Sequence, residues 1–457
     1  MTAQTILPAN TLSSGYDVAN SCRFDGTSSY MTKTLGTPTS AKKGTISYWF
    51  KQGSVNTGTI KTAFSFGSEY GAINYDTGTT RGFEINLSNG NGWYKGTNEG
   101  FTARDPSAWW HLMVVVDTTQ GTEANRFKFY MNGSQITFTS GNNFPSSNGD
   151  IPGWASGQVM QVGRRSTGDA NYFDGYMAEV VFIDGSALTP SDFGEYDSDS
   201  PTIWKPKDVS GLTFGNNGFY LDFEDSSNLG NDANGGTDLT ETGLDATNQS
   251  TDTCTNNFAT MNPLFVGDTN ITYAEGNLKT TAANESQKNA VSTIAVSSGK
   301  WYCEMVSRNG TNYPGFGIMD SQSVLQTSIS YLGSSSDSYC MFQGGLDYNN
   351  GTESNIGTTW GVNSIMGVAI DLDSGTKTIK YYKAGSEIHS RTISTPANAY
   401  VFAVSHNTNG TITEINFGSP PYSESGGNSD GNGYGNFNQA VPSGYYALNT
   451  KNLSEFG

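Results

Sequence analysis

Apolar and polar residues alternate with a period of two along most of this chain, in short runs bounded by Gly, Asn, Asp or Pro. No stretch carries the 3.6-residue period of a long amphipathic helix, so the pattern predicts an all-β protein. In GTISYWFKQ, Ile46, Tyr48 and Phe50 alternate with Ser47, Trp49 and Lys51. WWHLMVVVD is a continuous apolar run suited to a central strand buried on both faces. RFKFYMNGSQITF sets Asn132-Gly133 between two alternating segments, which predicts a tight hairpin. In YFDGYMAEVVFIDGSALTPSDFGEY, Tyr176, Ala178, Val180 and Phe182 alternate with Met177, Glu179 and Val181, predicting a strand that ends at Asp184-Gly185. Thr189-Pro190-Ser191-Asp192 then supplies an N-cap hydroxyl, a proline at the first helical position and an early acid.

The pattern weakens over residues 197–270. SDSPTIWKPKDVSG is punctuated by proline, GFYLDFED reads as one strand, and SSNLGNDANGGTDLTETGLDATNQSTDT is polar and free of aromatics. Such a stretch buries too little apolar area to fold alone. Trp204, Phe214, Phe219, Leu221 and Phe223 nevertheless need cover, so the segment is expected to lie against the first domain and add Phe219–Phe223 to a sheet edge. Alternation resumes in GKWYCEMVS, YPGFGIMD, SYCMFQGG, SIMGVAIDLDSGTKTIKYYKAGSEI and YVFAVSHNTNGTITEINFG. The last stretch, residues 420–457, is rich in Gly, Asn and Ser, disordered if alone. Its Tyr434, Phe437, Tyr445, Tyr446, Leu448 and Phe456 are apolar handles for docking onto the preceding sandwich or a neighbouring subunit.

Taken in order, GTISYWF, WWHLMVVVD, FKFYMNGSQI, VMQVGRR and FDGYMAEVVF resemble the laminin-G-like, concanavalin-type jelly roll across residues 21–196. GKWYCEM, GFGI, MGVAIDLDSGTKTIKYYKAG and INFG are similar to the SPRY domain, over residues 271–419. Residues 197–270 resemble, more loosely, connecting regions in virion proteins of marine tailed phages. The resemblances imply two concanavalin-like antiparallel β-sandwiches joined by a polar connector, both of a kind that binds or adheres. Residues 1–20 are then a candidate anchoring segment to other virion proteins. By family analogy the protein is a homo-oligomer, with a trimer as the usual form.

Charge and cysteine content narrow the partners. The chain has 24 basic and 42 acidic residues, a net charge of −18, and no Lys/Arg cluster, so phosphate backbones are repelled and no nucleic-acid partner is expected. Residues 1–18 show neither a basic n-region nor an apolar h-region, so no secretion signal is expected, and no apolar run reaches membrane-spanning length. Cys22, Cys254, Cys303 and Cys340 are widely spaced, as are His111, His389 and His406, which points to reduced packed thiols rather than zinc. Cys303 and Cys340 are the one pair that falls in the same domain.

Candidate chemistry is sparse. Retaining glucan hydrolysis needs two carboxylates about 5–5.5 Å apart, and glucanases of this fold place them as alternating acids on one strand. Residues 21–196 hold no such run; Asp222 and Glu224 in LDFED are the nearest equivalent, so no enzyme is expected. No cofactor is expected either, with calcium the one candidate and Asp25, Asp117 and Asp174 its candidate ligands, although acids in turns are commonly turn formers. Asp371 and Asp373 resemble a metal pair but are explained by hairpin chemistry. Trp49, Trp109, Phe127 and Phe129 fall in strand patterns and are expected in the core. Trp93, Tyr94 and Trp154 fall in Gly-rich polar stretches and are the candidates for stacking on a sugar ring. The expected role is a tailed-phage virion appendage, fibre or decoration, attaching to host glycans, neutral ones by charge, or to a protein receptor. A purely structural cement protein and a glycan depolymerase are the alternatives.

Overall fold

The computed structural model describes residues 15–53, 59–67, 72–76, 83–86, 95–98, 103, 105–137, 144–165, 171–265, 270–283, 288–309, 314–323, 331–406, 408–424 and 426–457. The chain divides into two compact units, with the boundary between Thr255 and Asn256. Each is a β-sandwich of two sheets.

In the first unit one sheet runs, in spatial order, Ser134–Ile136, Phe127–Met131, Trp109–Asp117, Lys43–Gln52, Asp174–Asp184, Ser21–Asp25 and Gln249–Ser250. Phe219–Leu221 pairs with the far end of Asp174–Asp184. The second sheet runs Thr240–Thr242, Tyr30–Thr34, Val159–Val162, Ile60–Phe66, Ala72–Asp76, Phe83–Asn86 and Lys95–Asn98. Ile46, Tyr48, Phe50, Leu112, Val114 and Val116 from the first sheet meet Met31, Phe64, Phe66, Met160 and Val162 from the second in one core. The other face of the first sheet is also buried. Trp49, Trp109, Tyr176 and Trp204 form one cluster there, and Met113, Val115, Val181 and Ile183 another. The expected double burial of WWHLMVVVD follows from this cover, and Trp49, Trp109, Phe127 and Phe129 are all buried. Asn132 (φ 46°) and Gly133 (φ 76°) make the expected turn with both central residues left-handed.

Two expectations change. The strand Asp174–Asp184 does not keep a single alternation: its register against Lys43–Gln52 shifts between Ala178 and Val181. Glu179 sits in that bulge at φ 50°. One extra residue exchanges the faces, so Tyr176 and Ala178 point outward while Val180 and Phe182 point into the core. Residues 197–255, expected as part of a connector, belong to the first sandwich and supply strands to both its sheets.

The second unit pairs a sheet of Ile271–Ala274, Lys279–Ala282, Ile412–Asn416, Lys300–Ser307, Ile365–Asp371, Thr378–Lys383 and Ser386–Thr392 with one of Lys288–Val296, Tyr400–His406, Gly315–Asp320, Ser338–Phe342, Leu346–Asn349 and Thr352–Asn355. Trp301, Met305, Phe316, Ile318, Val368, Ile370 and Phe402 fill the space between them. The C-terminal stretch is part of this unit: Tyr446–Ala447 pairs in parallel with Trp301–Tyr302, and Thr450–Phe456 forms a helix. Asp430 fixes it, accepting from the amides of Asn432, Tyr434 and Ala447 and from Asn452 Nδ2.

Candidate functional site

The residues expected to do chemistry are dispersed. Trp154 lies in the short 3-10 turn Pro152–Trp154 and is 2% exposed, with its ring 5.6 Å from Phe182 and 6.5 Å from Phe66. A Cβ on Gly44 would come within 2.8 Å of that ring, so the strand backbone itself packs on the indole. Trp154 therefore pins its loop to the core and offers no face to a sugar. Trp154→Ala is expected to cost at least about 3 kcal/mol, read as a fall in the urea midpoint at unchanged m-value. Trp93 and Tyr94 lie outside the described residues.

The calcium candidates do not converge. Asp25 and Asp174 are cross-strand partners, whereas Asp117 stands opposite Lys43, at the far end of the strand whose other end, Gln52, pairs with Gly175. A strand of that length spans about 30 Å. Asp25 accepts the amides of Thr27, Ser28 and Ser29 and the hydroxyls of Thr27 and Ser29. Burial alone raises its carboxyl, but these donors outweigh burial and hold it well below the usual carboxylate range. Asp117 is committed in the same way to Thr119 and Gln120. Asp371 accepts from the amides of Asp373 and Ser374, and Asp373 accepts from the Gly299 amide, so both are turn acids. Asp222 and Glu224 do not share a strand face: the strand ends at Leu221, Phe223 is left-handed at φ 60°, and Asp222 accepts the Glu224 amide. All four cysteines are free and buried, Cys303 and Cys340 included.

The ionisable groups the structure does bring together lie beneath the cover on the outer face of the first sheet. His111 is buried between the Trp49 and Trp204 rings, 5.0 and 6.0 Å away. Trp204 Nε1 donates to its Nδ1 at 3.1 Å, so Nε2 carries the proton and donates to Ser47 Oγ at 2.7 Å. Burial holds the imidazole down to about 3, neutral throughout the physiological range. Lys51 Nζ donates to Asp252 Oδ2 at 2.7 Å, and Trp109 Nε1 donates to Asp252 Oδ1 at 3.0 Å. Glu179, turned outward by its bulge, meets the Tyr220 hydroxyl at 2.9 Å and the Tyr16 hydroxyl at 3.3 Å. Burial pushes the Glu179 carboxyl up to about 8. In the second unit Glu304 plays a similar part, accepting the amides of Asn438 and Gln439 at 2.9 and 2.7 Å. Burial raises that carboxyl too.

These groups clamp covering segments to sheets. Part of the signal was present in the sequence: Ser47, Lys51 and His111 lie on strands beside Trp49 and Trp109, large rings that call for cover, whereas Glu179 joins them only through its bulge. Among the described residues no three His, Cys, Asp or Glu side chains group as metal ligands, and no helix is long and apolar enough to cross a membrane.

Residues 25–192 match the family model described as the concanavalin A-like lectin/glucanases superfamily. That match covers most of the first sandwich, and its description joins sugar binders with sugar hydrolases. No curated protein matches the chain. The chain is similar to the solved structure of a SAP-like pentraxin from Limulus polyphemus, at 14% identity over 38% of this chain and 80% of that one, with a TM-score of 0.30. It is similar to the TRIM65 PSpry domain at 12% identity over 35% of this chain and 88% of that one, with a TM-score of 0.28. For the SPRY domain of human HERC1 the figures are 15%, 30%, 87% and 0.26. These likenesses concern part of the chain and the fold alone.

Proposed function

We propose that this chain is a non-enzymatic attachment protein, a fibre or decoration on the surface of a tailed-phage virion, that engages host glycans or receptors through its sandwiches. The observation that carries the binding reading is the sealing of the acids. Among the described residues the two carboxyls pushed up by burial, Glu179 and Glu304, are 4% and 0% exposed, held under segments of the chain itself. A general acid must reach the proton-accepting atom of its substrate, and neither does. The lectin side of the matched superfamily fits that arrangement better than the glucanase side. The virion context rests on the resemblance of residues 197–270 to phage connecting regions. Contact with other virion proteins through residues 1–20 and assembly as a homo-oligomer, a trimer by analogy, belong to the same proposal.

The test pairs attachment with turnover. The purified full chain, incubated with host cells and separately with host polysaccharide, is expected to attach to the cells and release no new reducing ends. Reducing ends that appear with the wild type and vanish in the Asp222→Asn, Glu224→Gln variant would overturn the proposal in favour of a depolymerase.

A further inference from the structure

Within the first unit the two sheets differ in how their outer faces are finished. The outer face of the first sheet lies under Trp204, Tyr220 and Cys254. The second sheet carries a polar row, exposed at its Thr240 end and covered at Gln161 and Ser65. Thr240, Thr32, Gln161 and Ser65 are successive cross-strand partners, and the adjoining row of Met31, Val162 and Phe64 points into the core, so the first row points away from it. Tyr30 and its partner Thr242, two residues along, share that outward face. Arg164 lies over it. Its guanidinium carbon sits 3.6 Å from the centroid of the Tyr30 ring and 5.9 Å from that of Tyr172, and its Nε donates to Gln161 Oε1 at 2.9 Å.

Both terminal amino groups of Arg164 are without a hydrogen-bond or ion-pair partner among the described residues. That is unexpected in a chain with 42 acidic and 24 basic residues. Arg308 and Arg391 are each held by carboxylates. Arg164 is instead held over an aromatic face and by one side-chain amide, which leaves the two terminal amino groups of its fork without a partner among the described residues. A guanidinium fork pairs bidentately with a planar carboxylate. Around it stand a second tyrosine ring and threonine hydroxyls on neighbouring strands about 4.8 Å apart, the scale of one sugar ring.

We propose that this face binds a saccharide bearing a single carboxylate, a uronic acid unit in an otherwise neutral glycan, with Arg164 taking the carboxylate and Tyr30, Tyr172, Thr32 and Thr242 taking the ring. The net charge of −18 opposes densely charged polyanions at long range, while one carboxylate within a Debye length of about 8 Å feels the local cation. The inference rests on the reading of the first sandwich as a binding module and assigns it a ligand class.

The experiment titrates the full-length protein with a uronate-terminated oligosaccharide and with its carboxyl-reduced neutral counterpart, by calorimetry in low and high salt. The acidic form is expected to bind at least about tenfold more tightly, and a lysine, lacking the fork, is expected to lose about tenfold in Arg164→Lys. Arg164→Ala is expected to abolish the preference, and Tyr30→Ala to weaken both forms, with the melting temperature of each variant confirming a folded chain. Equal binding of the two oligosaccharides, or an Arg164→Lys variant that binds like wild type, overturns the proposal. So does displacement by acetate as effective as by the oligosaccharide, which would mark a bare anion site. A wild type that attaches to host cells and ignores the acidic oligosaccharide would sink this inference while leaving the attachment function standing.

Discussion

A fragment ending at residue 225 is expected not to fold, whereas one ending at residue 255 is expected to unfold cooperatively. The shorter fragment stops where the polar, aromatic-free stretch begins, a natural place for a linker by composition. It lacks the strands Thr240–Thr242 and Gln249–Ser250, which pair with Tyr30–Thr34 and Ser21–Asp25. It also lacks Asp252, the partner of a lysine whose side chain has no exposure to solvent. Burial lowers the Lys51 ammonium, and the Asp252 carboxylate, with a smaller push from Asp105, opposes that shift, so the buried charge leans chiefly on Asp252. Removing one member of a buried pair costs about 3–5 kcal/mol, a large part of the stability of a single domain. In the full chain, Asp252→Ala is therefore expected to lower the stability of the first sandwich by about that amount. The double substitution Lys51→Met, Asp252→Leu should recover at least half of the loss, because a paired apolar replacement leaves no bare charge. Denaturant unfolding followed by tryptophan fluorescence reads both. Cooperative unfolding of the 1–225 fragment, or a double variant no more stable than Asp252→Ala, would show that the strap of residues 226–255 is peripheral.

The strap shows why only part of this architecture is legible along the chain. The strands of the first sandwich announce themselves because the core face repeats every second residue, as in Ile46, Tyr48 and Phe50, and Asn132-Gly133 is a local signal for a local turn. The alternation in Asp174–Asp184 is apolar on both faces, so a bulge that swaps those faces leaves no mark in the pattern; the one irregular residue is an acid, Glu179. Residues 226–255 escape for a different reason. Beyond Leu229 and Leu239 in the core and two short strand pairings, their contribution comes from single polar contacts with distant partners, such as Asp252 with Lys51 and the Asn248 side chain with the Arg23 carbonyl. Composition measures apolar area and registers none of these. The same blindness made Trp154 resemble a loop ring: Gly and Pro around it predict a turn, but nothing local reveals that the turn folds back over Phe66 and Phe182. Arg164 was unremarkable in VMQVGRR because its lack of an acidic partner is a property of three-dimensional neighbourhood.

Glu179→Gln is expected to make the first sandwich more stable at alkaline pH and to leave it nearly unchanged in acid. The carboxyl is buried beside the hydroxyls of Tyr16 and Tyr220, and the acids Asp222 and Asp208 add a smaller upward push. Cys254 also lies within electrostatic range. Burial, the largest cause, raises the group from 4.5 to about 8. Between those two values the folded chain holds a proton that the unfolded chain has released. Stability attributable to this residue is therefore fully present below about pH 4.5, falls as pH rises, and is lost once pH passes about 8. At about 1.36 kcal/mol per pH unit, the loss amounts to at most about 5 kcal/mol across that window. Glutamine keeps the shape and hydrogen-bonding capacity of the protonated acid and cannot ionise. The difference in unfolding free energy between variant and wild type should thus be near zero at pH 4.5 and grow to several kcal/mol by pH 9, with the other titrating groups cancelling in the difference. Tyr16 anchors residues 15–18 through its hydroxyl, so hydrogen exchange there should quicken with rising pH in the wild type, beyond the intrinsic chemical rate, and not in the variant. Parallel stability curves for the two proteins from pH 4.5 to 9 would mean that Glu179 is ionised in the fold and that its two tyrosines suffice to hold the charge.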